Sequence, residues 1–151
     1  MQVWRISAVR FSANALSGLG AARAGARWNS RGTAVAYTAD TVALAMLELL
    51  VHVDRSDVPL GMRLLSFDLP DDAITSLDPL PSSWKKLPYS QQVRQVGDDW
   101  AQAKSGLALR VPSALARGHT NLLINPAHQR FAEIKRLLDE PLAFDDRLFL
   151  R

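Results

Sequence analysis

Ala34-Val35-Ala36-Tyr37-Thr38-Ala39-Asp40-Thr41-Val42-Ala43-Leu44-Ala45-Met46-Leu47-Glu48-Leu49-Leu50-Val51 carries two elements back to back. Residues 34–38 are a compact β-type run containing Tyr37. Asp40 or Thr41 can cap the helix that follows. That helix, expected over 41–53, is apolar on nearly every face, so the sequence predicts burial on most sides. Within it Glu48 is the lone charge between Thr41 and Val51. Burying an isolated carboxylate costs on the order of several kcal/mol, so Glu48 must be paired, protonated or lining a cavity. An exposed helix edge, or an arginine partner that serves packing, is the ordinary alternative.

Outward from this stretch, strands are expected at 2–7, 62–69, 107–111 and 121–125, with a last one at 142–150. Residues 11–30, rich in Gly, Ala, Ser and Arg, read as an irregular loop with room for a short helix. Pro79, Pro81 and Pro88 mark 78–88 as a surface loop. Val93, Val96 and Trp100 share one side of a helix over 90–105. Phe131, Ile134, Leu137 and Leu138 suggest an amphipathic helix over 127–138. Strands with irregularly interspersed helices, rather than strict β-α-β order, predict an α+β fold in one domain.

The 151 residues are 48% hydrophobic and 22% charged, with a formal charge of +3 and no cysteine. A chain of this size buries roughly 70% of its unfolded surface and needs no disulfide or metal to fold. Disulfides, thiolate metal sites and a cysteine nucleophile are excluded. The start, Met1-Gln2-Val3-Trp4-Arg5, does not read as a signal peptide. The apolar run 42–51 is about half of what a bilayer requires. The expectation is a soluble, cytoplasmic protein.

Other motifs are less specific. Gly25-Ala26-Arg27-Trp28-Asn29-Ser30-Arg31-Gly32 combines glycines with arginines, and a guanidinium grips phosphate through a bidentate fork. A surface turn with Trp28 docked in the core explains the same residues. Gly18-Leu19-Gly20 begins like a dinucleotide fingerprint, but Arg23 stands where the third glycine belongs. Ser113 follows a strand end, where a cap or turn serine is ordinary. Nothing in the spacing of His52, His119 and His128 nominates a Ser-His-Asp triad or a zinc site. Lys85-Lys86 beside Trp84 reads as a solvated loop, and the dispersed basic residues predict no direct nucleic-acid binding.

Taken in order, Trp4-Arg5-Ile6, Gly25-Ala26-Arg27-Trp28-Asn29, Gly32 through Val35-Ala36-Tyr37-Thr38, Ala43 through Glu48, Leu109-Arg110-Val111-Pro112-Ser113 and Asn121-Leu122-Leu123-Ile124-Asn125-Pro126 resemble the RES family. The resemblance spans nearly the whole chain, making residues 1–151 one RES domain. Ala26 departs from it, standing where the family often has a second glycine. The resemblance implies an ADP-ribosyltransferase-like mixed β core with flanking helices. It also implies a toxin that depletes NAD, paired with an antitoxin bearing an Xre-type DNA-binding region in a hetero-oligomer.

NAD would be the substrate rather than a cofactor, with inorganic phosphate as a candidate co-substrate and no metal. Breaking the ribose–nicotinamide bond passes through an oxocarbenium-like state that a fixed carboxylate stabilises. On this reading Glu48 stabilises charge and Arg27 anchors phosphate. Tyr37 positions the substrate, and Ser113 supports Glu48 or a phosphate. Arg5, Arg31, Asn29 and Asn125 are further candidates for holding the substrate. Water, phosphate or a protein side chain remains open as acceptor. A site-degenerate interaction module is a separate expectation, as is an antitoxin carboxylate against Arg27.

Overall fold

The computed structural model describes residues 1–54 and 57–149. One mixed seven-stranded sheet carries the chain, in the order β4-β5-β6-β2-β1-β3-β7. The strands are β1 (Gln2–Ala8), β2 (Ala36–Ala39), β3 (Met62–Asp68), β4 (Ile74–Ser76), β5 (Ala108–Pro112), β6 (Thr120–Ile124) and β7 (Lys135–Leu142). Every pairing is antiparallel except β4 with β5. Among the described residues three α-helices accompany them: α1 (Leu19–Ala24), α2 (Val42–Leu50) and α3 (Gln91–Ala103). The α+β expectation stands. No helix among the described residues is long and apolar enough to cross a membrane.

Alternation along the strands divides the core between the two sheet faces. Val3, Ala36, Leu65, Phe67, Leu122 and Ile124 pack with Leu16 on one face. The intervening residues pack on the other. There Leu109, Val111 and Leu123 meet Trp28, Val93 and Trp100 from the loop before β2 and from α3. Ala39, with Trp4 and Ile6, meets Leu44 and Ala45 of α2. Thus α2, α3 and the Trp28 loop all sit on one face.

The middle of the sheet is its weak seam. β1 pairs with β3 along its whole length but with β2 only at Trp4↔Ala39. One residue past that bridge, Arg5 reaches across and donates from Nη1 to the Tyr37 carbonyl at 2.5 Å.

Several elements depart from expectation. Helix α2 is capped by Thr41, whose hydroxyl accepts from the Leu44 amide at 3.2 Å. It is not buried all round: Leu47 is 47% and Val51 55% exposed. The helix expected over 127–138 is absent. A short 3-10 turn at Phe131–Glu133 leads instead into β7, which pairs along β3 with one register shift that passes over Leu137. The apolar spacing that suggested a helix is real for Phe131 and Ile134, which pack against the core. Leu137, however, is 55% exposed, and the ladder offered by β3 overrides local pattern.

The strand expected over 142–150 is also absent. β7 ends at Leu142, Phe144 docks, and Asp145 caps a 3-10 turn at Asp146–Leu148, while Leu150 lies outside the described residues. Residues 11–30 hold the end of a 3-10 turn (Val9–Asn14) and then α1. The three-residue β4 carries too little pattern to be read from sequence.

Candidate active site

Glu48 leaves α2 toward the sheet and ends beside β6. Its Oε1 accepts from Asn121 Nδ2 at 2.7 Å and from the Ser113 hydroxyl at 3.4 Å. Its other oxygen makes no hydrogen bond, and no lysine or arginine pairs with it among the described residues. Both ordinary explanations for this carboxylate therefore fail: the group is half-buried, and it is not neutralised for packing.

Ser113 begins the turn after β5. Its oxygen accepts from the Leu115 and Ala116 amides, both at 3.1 Å, which leaves its proton for Glu48. Ala116 packs against Leu44 and Ala45, so the turn and α2 fix each other. His119 Nδ1 pairs with Asp40 at 3.1 Å and its carbonyl accepts from the Ser113 amide at 2.9 Å; no histidine ring meets the Ser113 hydroxyl among the described residues, so no triad is assembled. The geometry makes Ser113 an orienting group for Glu48.

Asn121 is the residue that sequence reasoning missed. It faces the same side as Leu123 and Tyr37, opposite Ala39 in the ladder. Its Oδ1 is buried without a partner among the described residues. The polar residues bracketing the apolar run of β6 were the available signal, but Asn125 was the one taken from the pair. Asn125 donates to the Ala101 carbonyl at 2.8 Å and accepts from the Ala127 amide at 3.0 Å. Both ends of its side chain are spent fixing the end of α3 and the turn after β6.

Tyr37 is the diagonal neighbour of Asn121 on this face, roughly 7–8 Å away along the ladder. Its hydroxyl donates to Asn29 Oδ1 at 2.8 Å and accepts from the Trp28 amide at 3.1 Å. Burial pushes that hydroxyl far above the ordinary tyrosine range, so it stays neutral. The hydroxyl is therefore committed to the loop that carries Arg27.

Asn29 is fully buried, and its amide donates to the Ala21, Ser30 and Thr33 carbonyls. Its side chain ties the loop to itself and to Tyr37. Ala26 fits without strain, closing a small bridge with Asn29.

Helix α3 clamps this loop from outside. Arg94 Nε donates to the Ala26 carbonyl at 3.1 Å, and Asp98 accepts from the Ser30 amide at 2.9 Å. Between them Gly97 lies so close that an added Cβ would stand 1.7 Å from the Trp28 carbonyl oxygen. Arg27 itself is half-buried. Its Nη1 donates to the Trp84 carbonyl at 2.6 Å and, at 3.4 Å, to that of Lys86. Trp84 is not the solvated loop residue expected: it stacks on Trp28 with centroids 6.4 Å apart.

Arg5 is buried deeply enough that desolvation lowers its pKa from the usual arginine range. It has no carboxylate partner among the described residues, and its Nε is an orphaned buried donor. Arg31 is exposed and makes no polar contact among the described residues. The structure thus gathers Glu48, Ser113, Asn121, Tyr37 and the Arg27 loop on one sheet face, while Arg5, opposite Leu65 in the ladder, starts from the other face and reaches into the seam. It leaves Arg31 and Asn125 outside. A groove of about 310 Å³ lined by Leu16, Phe67, Phe131, Ile134 and Arg136 belongs to the opposite face.

This split mixed sheet, with a supported carboxylate and an arginine loop on the same face, belongs to a known class: the RES domain family model matches residues 2–145, and the chain is a member of that family. It is 38% identical over 152 residues to "Toxin Res" of Yersinia enterocolitica, covering 98% of this chain and 99% of that one. It is 37% identical to the "Prs ADP-ribosylating toxin" of a Sphingobium species, covering 96% and 94%. Among solved structures, the M. tuberculosis MbcT–MbcA toxin–antitoxin complex matches with a TM-score of 0.70 at 20% identity, covering 94% of this chain and 84% of that chain, a likeness of fold.

Proposed function

We propose that this chain is the toxin of a toxin–antitoxin pair and acts by cleaving the bond between nicotinamide and ribose in NAD. The observation that carries the reading is Glu48: a half-buried carboxylate with one oxygen fixed by Asn121 and Ser113 and the other uncommitted. The uncommitted oxygen suits a ribose hydroxyl and the positive charge that develops as nicotinamide leaves with the bonding electrons. The orphaned acceptor on Asn121 suits a sugar hydroxyl, and the orphaned donor on Arg5 suits a phosphate oxygen. Arg27 is the second phosphate anchor. Tyr37 sets the loop that carries it.

The attacking group at the ribose carbon is water, giving ADP-ribose and a proton, or phosphate, giving a 1-phosphorylated ADP-ribose. The Sphingobium relative named an ADP-ribosylating toxin favours a protein side chain as a second reading. The antitoxin is an Xre-type protein that forms a hetero-oligomer with this chain; the toxin–antitoxin complex of the solved relative supports the pairing. NAD as substrate makes the cytoplasm the place of action.

Purified protein, free of any partner, is incubated with NAD, with and without phosphate, and the products are weighed by mass spectrometry. Free nicotinamide plus one of the three ADP-ribosyl products is expected. Intact NAD under every condition refutes the reading.

A further inference from the structure

We infer that Tyr89, on the proline-rich strap between β4 and α3, is a positioning residue that aims the Arg27 guanidinium at a pyrophosphate. The inference rests on Arg27 being the phosphate anchor, and it adds a residue outside the set drawn from the sequence.

The Arg27 guanidinium carbon lies 4.8 Å from the centroid of the Tyr89 ring, and that of Arg94 lies 5.8 Å from the same ring. Arg27 comes from the loop, and Arg94 from the helix that clamps it, so Tyr89 joins loop, strap and helix. Meanwhile the Trp84 and Lys86 carbonyls occupy Nη1 of Arg27. Nε and Nη2 make no hydrogen bond among the described residues. A guanidinium grips a phosphate in a fork through two adjacent N–H groups, and the Nε/Nη2 edge is such a fork.

The strap carbonyls thus fix which edge is free, and the ring beneath fixes the plane in which it lies. Trp84 stacked on Trp28 ties the strap to the residue next to Arg27, so the two segments move together. The uncharged Tyr89 ring holds the cation without neutralising it, whereas a carboxylate there would compete with the ligand.

The test is calorimetric binding of ADP-ribose, which needs no turnover, to wild type, Tyr89→Leu and Tyr89→Phe, each also in an Arg27→Ala background. Tyr89→Leu should weaken binding about tenfold, and Tyr89→Phe, which keeps the ring, should stay within about twofold of wild type. In the Arg27→Ala background Tyr89→Leu should cost nothing further, which a merely structural role would not produce. Equal losses in both backgrounds, a Phe variant as poor as Leu, or no ADP-ribose binding by wild type would overturn the inference. Nicotinamide release from NAD, followed on the same samples, reports separately on the proposed reaction. Wild type that binds ADP-ribose with this pattern yet leaves NAD intact would sink the reaction and keep the positioning role.

Discussion

Gly97→Ala places a methyl group where α3 touches the Arg27 loop. The added Cβ would stand 1.7 Å from the Trp28 carbonyl oxygen and 2.8 Å from its carbon. The first contact is roughly 1.5–2 Å short of van der Waals separation, and both partners are backbone, so no side-chain rotation relieves it. Overpacking of this kind costs about 1–3 kcal/mol. The alanine recovers about 0.5–1 kcal/mol of helix propensity. The net loss is then up to about 2.5 kcal/mol, which for a chain of this size lowers Tm by up to about 10 °C.

The larger effect falls on activity. The loop must retreat from α3, carrying Arg27 with it, and a misplacement of about 1 Å costs on the order of 10²-fold in rate. The assay is nicotinamide release from NAD alongside thermal unfolding. Gly20→Ala is the control: it lies in α1 with nothing within 4 Å of the added Cβ, so it should gain about 0.4–1 kcal/mol and keep its activity. A Gly97→Ala protein as stable and as active as wild type would refute the claim that α3 sets the loop.

Tyr37→Phe removes the hydroxyl shared by the Trp28 amide and Asn29 Oδ1, leaving both unpaired in a buried place; a loss of about 1–3 kcal/mol is expected by denaturant titration, with reduced nicotinamide release. Asn121→Asp sets a second carboxylate against Glu48, so the acid limb of the pH–rate profile should move to higher pH, while an unmoved limb would remove Asn121 from the site. Asp139 is held below the usual carboxylate range chiefly by its hydrogen bond to Arg63, with Arg136 adding to it. Because the folded pKa lies below the unfolded one, its contribution is present above about pH 4 and is lost as pH falls through the folded value; Tm should drop less steeply between about pH 4 and 2 in Asp139→Asn than in wild type.

What the sequence made legible follows from which signals are local. The side Val93, Val96 and Trp100 share, and the Thr41 cap, are local, and α3 and α2 lie where those residues put them. β7 was lost because its pairing with β3 is set across the chain, while its own residues carry a helix-like spacing. Glu48 stood out because an isolated charge in an apolar helix is locally anomalous. Asn121, Gly97 and Tyr89 did not, since each has an ordinary local explanation. Their roles arise only where β6 meets α2, where α3 meets the Trp28 carbonyl, and where the strap meets Arg27. Arg27 and Ser113 needed the family resemblance to be singled out. Asn125 shows the converse, a polar strand end that the fold spends on its own backbone.

Glu48→Gln separates the charge proposed to stabilise the breaking nicotinamide–ribose bond from the fold around it. Glutamine keeps a carbonyl oxygen for Asn121 and Ser113 and removes the charge alone. Nicotinamide release from NAD should fall by at least about 10²-fold, with Tm and ADP-ribose binding retained. Release at the wild-type rate from a folded Glu48→Gln protein would contradict the account.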